Sequence, residues 1–272
     1  MSAVTFDRAA AVPAEPVVET ARERRPVPAW VPTLFGIGLI LAIWIVCAST
    51  LGIRKGFPQP WDVLSQLWND RSLYPDNITT TLGEAAKGYV IGNVLAILLA
   101  LAFVLVPVLE KALMQIAVVS ACLPLVALGP ILQSTLKGDS PKVALVAIFV
   151  FFTTLIGVLV GLRSADRTSL EVVRAYGGNR FTEMRKIRIR AALPSTFAAL
   201  QIAAPSAILG AILGEYFGGE RGLGIFMIAS LQGFKVARTW GIAAVASALS
   251  GVAFFLTALI GRSLTKWAPR AK

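Results

Sequence analysis

The sequence predicts an all-α integral membrane protein of six transmembrane helices with both termini cytosolic (N-in, C-in), and three observations carry that expectation. The first is composition. The 272 residues are 56% hydrophobic and 15% charged, with a mean hydropathy of +0.71, which is too apolar for a domain dissolved in water. The second is the spacing of charge. Six intervals, 26–53, 88–109, 112–136, 143–162, 191–214 and 239–261, hold no Asp, Glu, Lys or Arg. Each reaches the roughly 20 residues that a bilayer core about 30 Å thick demands of a helix. They are continuously apolar, where a barrel strand would alternate. The third is asymmetry. With the N-terminus inside, seventeen basic residues fall in cytosolic segments and eight outside, leaving Lys87 at a helix mouth. This is the positive-inside bias, and it accounts for the net charge of +11 without nucleic acid as a partner.

Residues 1–29 mix four acidic with four basic side chains and contain Pro13, Pro16, Pro26 and Pro28, so a disordered cytosolic tail is expected there. No cleaved signal peptide is expected, because the leader is long and partly acidic and the first apolar run exceeds an h-region. The membrane domain is expected over 30–267, and 268–272 forms a second cytosolic tail. After the first span, Trp61, Leu64, Leu67 and Trp68 share one face of a helix that Pro60 can open, which reads as an amphipathic helix at the outer interface. Pro124 and Pro130 in the third span and Pro205 in the fifth free backbone carbonyls, either lining a translocation path or kinking a packed helix.

Cys47 and Cys122 fall inside spans as small apolar residues, and no metal site is expected. The absence of histidine removes His-based ligation and proton relays. Charged residues avoid the middles of all six spans, whereas an ion-driven carrier keeps an ionisable group at that depth. Glu84, Lys87 and Glu215 lie near outer ends, and the spacing of Glu84 and Lys87 predicts a local ion pair. No G-x-x-x-x-G-K-[ST] loop exists, and Gly218-Gly-Glu-Arg-Gly-Leu-Gly224 lacks its spacing and lysine. No catalytic residue and no cofactor of its own are expected. Such a chain is a passive pore or carrier, or it is the membrane half of a machine whose motor is another chain.

The segment from Arg163 to Arg190 bears on that choice. It carries eight basic residues between two charge-free spans, and its runs 170–176 and 181–187 are helical on either side of Gly177-Gly-Asn179. Gly and Asn accept the left-handed backbone that ends one helix and redirects the chain, so a helix-turn-helix bracket is expected. Glu171-Val-Val-Arg-Ala-Tyr-Gly177, with Ile187 ten residues on and then Leu193-Pro194, resembles the E-A-A-x-x-x-G-x(9)-I-x-L-P loop of binding-protein-dependent ABC importer permeases. The ending Ile189-Arg-Ala-Ala-Leu-Pro194 is similar to the sulfonate, nitrate and taurine type. Further matches in the same order are Phe57-Pro-Gln-Pro-Trp-Asp-Val-Leu, Thr81-Leu with Gly88-Tyr89, Leu123-Pro124 with Gly129-Pro130, Gly161-Leu-Arg-Ser-Ala-Asp166, and Glu215 with Gly222-Leu-Gly224. Val172 and Val173 replace the paired alanines of the pattern, and Arg190 replaces its first proline.

The resemblance implies a type I importer membrane domain in the bacterial inner membrane, with a cytoplasmic coupling loop over 163–192. It implies a second permease subunit, identical or similar, and two cytosolic ATPase subunits that hold ATP and Mg. An external solute-binding protein would deliver the substrate. Glu171, Arg174, Ala175, Tyr176, Gly177, Ile187, Leu193 and Pro194 are the expected coupling residues. Sulfonate, nitrate, taurine, aromatic acids and vitamin precursors all remain open as solute. Gln115, Ser120, Pro124, Gln133, Thr153, Gln201 and Ser206 are polar or kinking span residues expected to line the path, the alternative being that each bonds a neighbouring helix.

Overall fold

The computed structural model describes residues 30–52, 56–106, 108 and 125–267. Among the described residues every regular element is a helix, joined by short turns. In order the helices are α1 (Trp30–Leu51), α2 (Pro60–Asn69), α3 (Tyr74–Leu105), α4 (Leu125–Thr135), α5 (Ser140–Arg163), α6 (Arg167–Ala175), α7 (Arg180–Glu183), a π-helical turn (Met184–Arg188), α8 (Ile189–Phe217), α9 (Leu223–Gln232) and α10 (Val236–Leu264). Five helical stretches are long and apolar enough to cross a membrane: Leu34–Leu51, Tyr74–Leu105, Ser140–Arg163, Arg180–Phe217 and Val236–Leu264. The remaining expected span, over 112–136, is described only as α4. The expected tails 1–29 and 268–272 lie outside the described residues.

The chain divides into two units after Ile43. In the first, Leu34, Phe35, Ile37, Leu39, Ile40, Leu41 and Ile43 are all exposed, an apolar helix with no polar face, as a lipid solvent demands. In the second, α3, α5 and α8 form the centre, with α10 against α8. Small residues set how close they come. A Cβ on Gly88 would stand 2.8 Å from the Val143 carbonyl oxygen, and one on Gly92 would stand 2.8 Å from Ala147 Cα, so α3 and α5 touch backbone to backbone. Gly157 meets Ala199 and Gly161 meets Ala192 and Ser195 in the same way between α5 and α8. Asn93 and Thr154 hydrogen-bond across α3 and α5, and Asn93 Nδ2 also donates to Tyr89 O at 2.7 Å. The buried polar side chains of Asn93 and Thr154 are thus paired with each other, as the absence of water requires.

Helix α2 forms as expected, opened by Pro60 and capped reciprocally by Gln59 and Asp62. Trp61, Leu64 and Trp68 are exposed on one side, while Val63 and half-buried Leu67 turn inward, Leu67 toward Gly241 of α10. Leu67 thus serves the packing face rather than the interfacial one. Trp240 anchors the neighbourhood. It stacks on Trp44 at 5.2 Å, and its indole N–H donates to Gly56 O at 3.0 Å.

Candidate functional site

The bracket between α5 and α8 is built by local rules. Asp166 caps α6 by accepting the Ser169 N–H at 2.9 Å and its hydroxyl at 3.0 Å, and those bonds hold the Asp166 carboxyl below its usual range. At the other end, Gly177 N–H donates to Arg174 O at 2.8 Å and Gly178 N–H to Val173 O at 2.9 Å, with Gly177 at φ +76°. This is a full Schellman closure with the left-handed residue where glycine is favoured. No atom lies within 4 Å of a Cβ placed on Gly177, so backbone conformation alone selects the residue. Asn179 then caps α7 by accepting the Thr182 N–H at 2.9 Å. From Arg180 the helix runs on through the π-helical turn into α8, closed there by Ile189 N–H on Met184 O.

Leu170, Glu183 and Met184 face inward. Glu183 is 3% exposed, and it accepts Arg174 Nε at 2.6 Å and Arg174 Nη2 at 3.3 Å, with Arg188 Nη2 3.9 Å away. The ion pair raises the Arg174 pKa further above its usual value. Arg188 Nη1 also donates to Leu162 O at 3.1 Å, tying the second arm to the end of α5. Outward, Glu171, Val172, Ala175, Tyr176 and Phe181 are exposed, Tyr176 at 89% and Phe181 at 63%. A rigid, cross-braced bracket with two aromatic knobs beside its glycine turn can seat in a partner's groove and pass a push directly into α5 and α8.

The expected coupling residues separate accordingly. Glu171, Ala175, Tyr176 and Gly177 share the exposed end of the bracket, Arg174 braces it, half-buried Ile187 lies in the π-helical turn, and half-buried Leu193 and Pro194 fall within the first turns of α8. Sequence reasoning did not single out Glu183 or Phe181. The Arg174–Glu183 pair is nine residues apart across a turn, so no helical spacing marks it.

Four of the expected path residues are described. Gln115, Ser120 and Pro124 lie outside the described residues. Gln133 Nε2 donates to Gly218 O at 3.0 Å, joining α4 to the end of α8. Ser206 donates to Ile202 O at 3.2 Å within its own helix, and Thr153 and Gln201 are half-buried on α5 and α8. Among the described residues no hydrogen bond joins these four to one another.

At the end of the bundle opposite the bracket, Glu84 pairs with Lys142 of α5 at 2.7 Å, and Lys142 also reaches Asp139 at 3.1 Å. The expected local pair of Glu84 with Lys87 is thereby corrected. Glu84 points into the α3–α5 seam, where a buried carboxylate needs a buried cation, while Lys87 is exposed. Nearby, Glu215 accepts Thr81 Oγ1–H at 2.6 Å and Gly224 N–H at 2.5 Å, Thr81 Oγ1 accepts Leu223 N–H at 2.9 Å, and Gly222 N–H donates to Asn77 Oδ1 at 2.9 Å. Gly222, at φ +127°, has no room for a Cβ beside the Glu215 carboxylate. The spacing of Glu215 and Gly222-Leu-Gly224 therefore encodes a knot that fixes the start of α9 against α3.

Residues 92–267, from the α3–α5 contact through the bracket and the knot to the end of α10, match the family described as binding-protein-dependent transport system inner membrane component. The chain belongs to this family. It is 29% identical over 205 residues to a formylaminopyrimidine transport permease protein of Halalkalibacterium halodurans, covering 75% of this chain and 82% of that one. It is 28% identical over 160 residues to a riboflavin transport system permease protein of Chloroflexus aurantiacus, covering 58% and 60%. A putative aliphatic sulfonates transport permease protein of Bacillus subtilis is 22% identical over 244 residues, 88% of each chain. The protein is thus a multi-pass inner-membrane permease of an ABC importer, a transport component rather than a catalytic one, and it works with an ATPase and a solute-binding protein.

Proposed function

We propose that this permease pairs with itself or a similar permease, receives its solute from an external binding protein, and is driven by two cytosolic ATPase subunits that hold ATP and Mg. The N-in, C-in arrangement puts the bracket in the cytosol, where Glu171, Arg174, Tyr176 and Gly177 dock on the ATPase. The supporting observation is the bracket itself, which is exposed at Tyr176 and braced by Glu183, and whose second arm runs from Arg180 into α8 without a break. Closure of the ATPases pushes two spans at once and exchanges inward-facing and outward-facing states. The cargo is a small organic or inorganic solute of the sulfonate, nitrate, taurine, aromatic acid or vitamin-precursor classes. The printed substrates of the three relatives, a formylaminopyrimidine, riboflavin and aliphatic sulfonates, support that range.

The test is to reconstitute the chain with its ATPase and binding protein and to replace Gly177 by Val. Solute-stimulated ATP hydrolysis is expected to be lost while membrane insertion is unchanged. Normal stimulation in that variant would sink the coupling reading.

A further inference from the structure

Where α3 ends, a cavity of about 190 Å³ opens against the bracket, walled by Leu105 and Met184 on the apolar side and by Arg174, Arg180, Arg188 and Glu183 on the other. Three guanidinium groups thus face one carboxylate. Glu183 is already engaged by Arg174 and Arg188, so among the described residues the cavity lining keeps an excess of two positive charges. Arg188, whose side chain is 20% exposed, is held in place by its bond to Leu162 O. Arg180 is exposed and forms no hydrogen bond or ion pair with another described residue. Arg174 and Arg180 are exposed, so this excess lies at the cavity mouth, where an arriving anion can meet it.

We propose that this cavity binds the phosphate of an anionic phospholipid headgroup. Its position decides the class of ligand. Leu105 is the last residue of an apolar span, so the cavity opens where that helix leaves the hydrocarbon and where headgroup phosphates lie. Guanidinium forks match phosphate oxygens in pairs, and basic pockets at span ends recognise acidic lipids. Arg180 and Arg188 donate to the phosphate while an acyl chain follows the exposed flank of α3. A lipid held there would wedge the bracket against the membrane and fix its angle. This inference rests on the membrane reading alone and not on ATPase docking.

The test uses the full-length chain in neutral detergent, with bound lipid counted by native mass spectrometry after titration with phosphatidylglycerol or phosphatidylcholine, and with inorganic phosphate as competitor. Phosphatidylglycerol is expected to be retained in preference to phosphatidylcholine. Arg180→Gln weakens its retention about fivefold, the effect of one basic residue near an anionic surface, and Arg180→Lys restores most of it. Thermal unfolding of Arg180→Gln, expected to match the parent without added lipid, shows that the fold is intact. Equal retention of the two lipids, unchanged retention in Arg180→Gln, or displacement of the lipid by inorganic phosphate at equal concentration each overturns the proposal. If the occupant is instead an acidic side chain of the ATPase, lipid retention is independent of Arg180, which the same measurement reports.

Discussion

Glu183 carries a charge into a nearly dry pocket, and it stays ionised there because Arg174 and Arg188 converge on it. Glu183→Gln keeps the shape but removes the charge that holds two guanidinium groups. We expect it to loosen the bracket by about 2 kcal/mol, the range for hydrogen bonds to charged groups, and to speed tryptic cleavage between residues 174 and 185. Unchanged cleavage would show that the brace is idle. Gly177 is constrained differently, by φ alone, so Asn, which tolerates the left-handed region, should retain more coupling than Val at the same position. ATPase stimulation measured across the pair tests this. Asp70, between α2 and α3, accepts Arg238 Nη2 at 2.5 Å and Nε at 2.6 Å. Burial raises its pKa, but Arg238 and Gln66 together outweigh that effect and leave it below the usual value. Its contribution is therefore present above the unfolded carboxyl pKa of about 4 and is lost as pH falls through the lower folded value. The gap in melting temperature between the parent and Asp70→Asn should be full at pH 6 and close as pH drops below about 4. A gap constant across that range would exclude the ion pair as its source.

Among the elements, α3 depends most on what it lacks. Gly92 meets α5 at Ala147 with no space for a side chain, whereas a Cβ on Gly83, in the same helix, has no atom within 4 Å. Gly92→Val should destabilise the folded chain by about 1–3 kcal/mol through overpacking, while Gly83→Ala should be neutral or gain up to about 1 kcal/mol of helix propensity. Detergent melting curves of the two variants give the comparison, and equal melting would mean that the α3–α5 contact does not limit stability. The second arm of the bracket shows a different economy of backbone. With Arg190 where the family pattern has a proline, the helix continues from the π-helical turn into α8, and the donors missing at Pro194 and Pro205 leave the carbonyls of Arg190 and Gln201 without their helical partners.

At the scale of the molecule, the ionic features sort to opposite ends of the bundle. The bracket joins the end of α5 to the start of α8, while Glu84–Lys142 and the Glu215 knot close the far end of α3, α5 and α8. A load applied at the bracket therefore reaches the far end through three helices packed backbone to backbone. Vesicles containing the permease alone should show no solute uptake above background, and adding the ATPase and binding protein should restore it; uptake without them would contradict an external motor. Much of this was legible in the chain, because apolar runs, caps and the glycine turn are local signals. The pairing of Glu84 was not, because Lys142 lies far along the sequence while Lys87 stands one helical turn away. For the four described path candidates the chain says less, since polarity within a span does not reveal which neighbour it meets.

The sequence by itself determined the membrane class, the positions of the five described spans, the bracket and its left-handed Gly177, since each follows from composition, period or a single residue's backbone freedom. Only the tertiary structure decided that Glu183 braces the bracket, that Lys142 answers Glu84, and that Thr81 links Glu215 to the Gly222-Leu-Gly224 turn. These contacts join residues far apart in the chain, and in a medium without water a buried charge or donor must find whichever partner the packing brings near.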